Sequence, residues 1–239
     1  MKPKLLLGLA LLLVGVAMFI AGISNAALIY PPGPDGGLQI VRNKISEIHR
    51  DDPYFGELGN GNVSINNAHL WCAIGVSDVI SGHMLPGPSA KKCWRYPLMR
   101  GTNFLGLATV FTTETNNETK LEFGGLYKTC GGEETLTVQR MAENWPQVKS
   151  QDYEVRYLTV LNFSFAAIWL HGKSDDILVP LPPVYGRKLT GYQPYSERQL
   201  VKALKPEAEQ WLIDVKAENE QERARKQPAL TNTFKTPNP

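Results

Sequence analysis

Apolar and polar positions divide this 239-residue chain into an apolar leader, an alternating middle and a helical end. Leu5 to Ile23 is nineteen residues without a charge, an amide or a proline, long enough to cross a hydrocarbon core of about 30 Å as a helix. The segment "LIYPPGPDGG" (28–37) then breaks any helix, since proline lacks an amide donor and clashes with the preceding turn; it reads as a linker. Leu38, Val41, Ile45 and Ile48 recur at helical spacing and predict a helix over 38–49. "INNAHLWCAIGVSDVISG" fits two periods. Leu70, Cys72, Ile74 and Val76 alternate as in a strand, yet a cap at Asn67 and the length before Gly82 favour a helix. Residues 82–103, with "GHMLPGPSAKK", read as a loop.

The middle of the chain reads as antiparallel sheet. "FLGLATVFTT", "KLEFGGLY" and "TLTVQRM" are rich in β-branched and aromatic residues, and the turn formers of "ETNNET" and "KTCGGEE" separate them. "YEVRYLTVLNFSFAAIWLH" is too long for one straight strand and predicts a bent strand or two strands. "GKSDD" turns the chain, and "ILVPL" returns beside it as a hairpin. Beyond a Pro/Tyr-rich connection, Ser196 and Gln199 form a capping box. The stripe Leu200, Leu204, Ala208, Trp211, Val215 continues through Pro206, predicting a kinked helix or two abutting helices.

These elements predict an α+β fold: one antiparallel meander sheet covered by N- and C-terminal helices and preceded by a membrane anchor or signal segment. The expected division is a signal or anchor segment over 1–27, a linker over 28–37, one domain over 38–227 and a disordered tail over 228–239.

Charge bears on compartment. Lys2 and Lys4 precede the apolar run and hold the leading end in the cytoplasm, so the rest of the chain is exported. Ser24 and Ala26 offer a cleavage site, giving two readings: a single-pass anchor through residues 5–23, or a secreted or periplasmic protein cut after Ala26. The length of the run favours the anchor. The chain carries 25 basic and 23 acidic residues, and that balance excludes a nucleic-acid binder. The basic cluster Lys91, Lys92, Arg95, Arg100 reads as a solvated loop, with an anionic lipid or glycan as its alternative partner.

Candidate chemistry is sparse. Of three cysteines, Cys72 sits in an apolar run and reads as core, leaving Cys93 and Cys130, both in polar surroundings, as the expected disulfide pair. Cys72 with His69 or His171 is the candidate thiol–imidazole site, since a neighbouring imidazole lowers a thiol pKa. His69 and Cys72 would share a face of a helix, but the clustered ligands of a metal site are missing and none is expected. Gly172-Lys173-Ser174 lacks the upstream glycine of a phosphate loop, so neither nucleotide nor other cofactor is expected. Trp169 and Trp211 lie on apolar stripes and read as core.

The expectation that follows is a membrane-tethered structural or protein-interaction subunit of an extracytoplasmic assembly, without enzymatic activity. The alternatives are an extracytoplasmic hydrolase or thiol enzyme using Cys72, His69 and His171, or a soluble periplasmic protein that binds a small ligand in an aromatic-lined pocket.

Overall fold

The computed structural model describes residues 27–59, 62–87, 91–115, 118–128, 132–184 and 188–226. The predicted anchor over 5–23, Cys130 and the predicted tail over 228–239 lie outside these residues. No helix among the described residues is long and apolar enough to cross a membrane. In chain order the strands are β1 (Leu28–Ile29), β2 (Ser64–Ile65), β3 (His69–Ile74), β4 (Lys91–Arg100), β5 (Asn103–Thr115), β6 (Glu118–Tyr127), β7 (Tyr153–Val160), β8 (Phe165–Gly172) and β9 (Asp176–Pro180). The helices are α1 (Gly37–Ser46), α2 (Gly56–Gly59), α3 (Val76–Ile80), α4 (Gly132–Ala142) and α5 (Glu197–Lys226).

All nine strands belong to one mixed sheet, ordered β6-β5-β4-β3-β7-β8-β9, with β1 beside β7 and β2 beside β4. The predicted single antiparallel meander is overturned by the centre of this sheet. There β3 and β7 run parallel, Trp71 opposite Tyr157 and Cys72 opposite Leu158. Each flank is an antiparallel run of the expected kind, β3-β4-β5-β6 on one side and β7-β8-β9 on the other. A parallel pair cannot be joined by a tight turn. The connection from β3 to β7 carries α3, three strands and α4.

Both faces of the sheet are covered, not one. On the back face, α3 and α5 pack over Cys72, Ile74, Leu158, Ala167, Trp169 and Leu178. Val41 of α1 packs there over Tyr96, Leu98, Ala108 and Val110. On the front face, Val138 and Ala142 of α4 pack over Tyr153, Val155, Tyr157, Ile168, Leu170 and Val179.

Other segments also depart from the sequence reading, each for a local reason. Residues 69–74 form a strand, not a helix, because the alternating set that includes Cys72 and Ile74 packs into the back core. The expected loop at 91–100 is β4. Pro97 is tolerated there because its carbonyl side faces the break between β2 and β3, where it accepts only the Asn66 amide, at 2.9 Å. "TLTVQRM" is helical: Thr135, Val138, Gln139 and Ala142 are its buried positions, at spacings of three, one and three.

The hairpin β8–β9 stands as predicted, closed by the Gly172 amide on the Asp175 carbonyl at 3.0 Å. The 153–171 segment is two strands joined by a turn. At the head of α5, the Ser196 amide donates to Gln199 Oε1 at 2.8 Å and the Gln199 amide to Ser196 Oγ at 3.4 Å. The helix continues through Pro206, which lies on its exposed side.

The predicted linker over 28–37 lies against the domain. Leu28 and Ile29 add to the edge of β7 where β3 has not yet begun, the Ala27 amide donates to Asp152 Oδ1 at 2.9 Å, and a Cβ at Gly33 or Gly37 would overlap the Tyr96 hydroxyl. Glycine is required at both positions for this close approach.

The back core rests on the apolar stripe of α5. Leu204→Ala is expected to lower the unfolding free energy by about 2–5 kcal/mol, since Leu204 is fully buried. Ile213→Ala, one face away and 59% exposed, is expected to change it by less than about 0.5 kcal/mol. Urea titration of the two variants checks the contrast, and equal losses would mean that the second half of the helix is also covered.

Candidate functional site

Alternation along β3 and β4 decides which side chains meet. Cross-strand pairing sets His69 beside Arg95 and Trp71 beside Cys93, all on the front face, and parallel pairing sets Trp71 beside Tyr157. The helix α4 crosses over this joint, and Tyr30, just past β1, reaches it from the side. Its ring stacks on His69 with centroids 5.6 Å apart and planes 25° from parallel. Gln139, on the buried side of α4, sets its Nε2 at 3.1 Å from His69 Nε2.

His69 is the pivot of this cluster. It is 5% exposed, and burial pushes its pKa down to about 4, so the ring is neutral at physiological pH. The Gln139 amide nitrogen donates to Nε2, which places the ring proton on Nδ1.

Around His69 the surface opens into a hollow of about 400 Å³ lined by Tyr30, Ile65, Asn66, Asn67, Pro97, Leu136 and Gln139. A second hollow of about 340 Å³ shares Ile65, Asn66 and Asn67 with it and extends the groove toward Asp35 and Tyr96. A neck of about 10 Å³ adjoins the first hollow, sharing His69, Pro97 and Leu136 with it, and is walled further by Arg95, Leu107, Gly132, Thr135 and Tyr157. The Arg95 guanidinium lies 4.8 Å from the Trp71 ring centroid and 5.0 Å from that of Tyr157. Such contacts stabilise a cation but do not neutralise it.

Among the described residues, four buried side-chain atoms lack a hydrogen-bond partner: Trp71 Nε1, Arg95 Nε, Thr109 Oγ1 and Thr159 Oγ1. All four belong to the front face. Thr109 pairs with Arg95 and Thr159 with Ala73, so they occupy three adjoining rows across β5, β4, β3 and β7. Each such orphan costs about 1–3 kcal/mol relative to a satisfied group.

The structure does not bring the sequence-predicted thiol–imidazole residues together. Because residues 69–74 form a strand, the odd spacing puts His69 on the front face and Cys72 on the back. His171 lies on the back face opposite Glu154, four residues along β7 from the Leu158 that pairs with Cys72. That is about 13 Å along the strands, and two strand spacings across. His171 Nδ1 instead shares a 2.7 Å hydrogen bond with Asp176 Oδ1, which also accepts from Trp169 Nε1 at 2.7 Å. Trp169 is buried, as its apolar stripe predicts.

Cys72 and Cys93 are free, buried thiols on opposite faces of the sheet. Burial raises both pKa values, that of Cys93 to about 12 despite the neighbouring Arg95. Neither thiol is a nucleophile at neutral pH. Among the described residues no group of three or more His, Cys, Asp or Glu is placed to hold a metal ion.

Tyr30, Arg95, Trp71, Gln139 and Tyr157 belong to this site without having been singled out as site residues from sequence. Arg95 was read within the basic cluster as part of a loop. No protein-family model matches the chain, and no curated protein or solved structure is significantly similar to it.

Two outcomes follow from burial. The folded-state pKa of His69 is lowered from 6.5 to about 4, so between these values the unfolded chain binds more protons than the folded one. Its contribution is complete above pH 6.5 and is lost as pH falls toward 4, on the order of 3 kcal/mol. Urea titrations from pH 7.5 to 4 are expected to show a flatter acid limb in His69→Gln than in the wild type; parallel limbs would place His69 in contact with water. Cys72 and Cys93 are expected to resist iodoacetamide at pH 7.5 in the folded protein and to label fully in guanidinium, as mapped by peptide mass spectrometry.

Proposed function

We propose that this chain is an exported domain that binds a small polar molecule in the front-face hollow between α4 and the β2–β3 corner. One observation carries the reading. A neutral, almost wholly buried imidazole, stacked on Tyr30 and held by Gln139, lines a roomy hollow edged by Asn66 and Asn67. A pocket of this size with a few converging polar groups is the usual form of a small-molecule site. The basic start and apolar run of residues 1–23 support export, whether the run is cut after Ala26 or stays in the membrane.

The thiol-enzyme reading has less behind it, since neither described cysteine faces an imidazole. The interaction-subunit reading draws on a different feature: from Lys216 to Arg225, α5 is exposed on every side.

Native mass spectrometry of the protein purified gently from the cells that make it tests the binding reading. A small molecule released on unfolding is expected, and Asn67→Trp, which fills the hollow from an exposed position, is expected to lose it without lowering the melting temperature. A ligand-free mass, together with no stabilisation by any member of a small polar library, sinks the proposal.

A further inference from the structure

We propose that the neck beneath the first turn of α4 receives a carboxylate, so that the molecule bound in the front-face hollow is a small carboxylic acid whose anion meets Arg95. The inference rests on the reading of the hollow as a ligand site and names the ligand's chemistry.

Charge is the first argument. Arg95 is a permanent cation whose Nε is buried without a hydrogen-bond partner, and no carboxylate among the described residues lies within ion-pair distance of it. Glu133 and Glu134 stand in the first turn of α4 and Glu143 acts on Tyr30, but none of them is within ion-pair distance of Arg95. Cys93 takes one of the guanidinium's hydrogen bonds, but a thiol carries no charge to balance it. Arg95 as a whole is half-buried, and a partly desolvated guanidinium without a counter-charge is costlier to the folded state than a fully solvated one. Its persistence fits a charge whose partner arrives with a ligand.

Geometry is the second argument. The Trp71 and Tyr157 rings lie near the guanidinium carbon, which leaves the in-plane edge of the fork as the direction of approach for an anion. His69 lines both the hollow and the neck and Arg95 walls the neck, so the two side chains border the same space. The backbone at Gly132, in the first turn of the eleven-residue α4, forms part of the wall.

Charge matching is the third argument and separates anions. A neck of about 10 Å³ has room for about one water-sized group, and so for one oxygen of an anion. A carboxylate's single charge is balanced by one guanidinium, whereas phosphate or sulfate carries nearly two charges at neutral pH and leaves the excess beside the apolar Pro97, Leu107 and Leu136. The body of the acid then occupies the 400 Å³ hollow beside Asn66 and Asn67.

The test is a library of small carboxylic acids, from acetate to aromatic and N-acylamino acids, each matched to its primary amide. Binding is read by thermal shift and confirmed by calorimetry, with sodium phosphate as the tetrahedral control. Acids are expected to bind at least tenfold more tightly than their amides, phosphate not at all. Arg95→Met is expected to abolish the difference while melting no lower than the ligand-free wild type. Should Arg95→Met fail to fold, Arg95→Lys keeps the charge without the planar fork and is expected to weaken the acids at least tenfold, leaving the amides unchanged. Acids and amides that bind equally overturn the carboxylate and leave the hollow a ligand site. Phosphate competing with the acids overturns the charge-matching argument and with it the carboxylate. No binding by either series overturns both readings.

Discussion

The parallel pairing of β3 with β7 is the constraint on which the rest of the structure depends. It welds two antiparallel flanks into one sheet. Because parallel strands cannot be joined by a tight turn, it also forces the chain to leave the centre and return after some eighty residues. That excursion builds β4 to β6 on one flank and delivers α4 to the front face over the joint itself. Removing the parallel pair would separate the flanks and leave α4 without the surface formed by Tyr153, Val155, Tyr157 and Trp71.

The joint also explains why polar groups collect where they do. Elsewhere the sheet follows the ordinary rule, with apolar side chains inward from β8, β9 and the helices. At the meeting of β3, β4 and β7 the inward positions of the front face are His69, Trp71, Arg95 and Tyr157. A helix laid across such a row either satisfies these groups or leaves them wanting. Gln139 donates to His69 Nε2, while Arg95 has aromatic neighbours but no carboxylate within ion-pair distance, and its Nε has no hydrogen-bond partner. The front face is therefore covered and incompletely paired at once, a combination rarely kept for stability alone.

What could be read from the sequence was what depends on neighbours along the chain. The α1 and α5 stripes, the Ser196–Gln199 cap and the β8–β9 hairpin are set by spacings of two to four residues, and each is found. What could not be read depends on distant partners. "KKCWRYPLMR" carries four charges and a proline, yet it is a central strand, because Arg95 is sheltered by rings from β3 and β7 and Pro97 meets a gap between two short strands. "TLTVQRM" has the composition of a strand, but the front core selects a helical set from it, and packing overrides so weak a preference. The candidate site was partly legible. His69 stood out as a chemical group, while its partners Tyr30, Gln139 and Arg95 come from 39 and 70 residues away and from the next strand.

The proposed pairing of Cys72 with His69 shows how one local assignment governs the functional reading. On a helix a spacing of three puts two side chains on one face; on a strand it puts them on opposite faces. With β3 extended, the thiol enters the back core beside Ile74 and Leu158 while the imidazole enters the front cluster. Both groups then take the protonation states that burial imposes, a protonated thiol and a neutral ring. A neutral imidazole beside an uncompensated guanidinium is a poor base for a thiol across the sheet. The strand assignment that dismantles the catalytic pair is the same one that puts His69 and Arg95 side by side on the front face, the pair on which the proposed anion site rests.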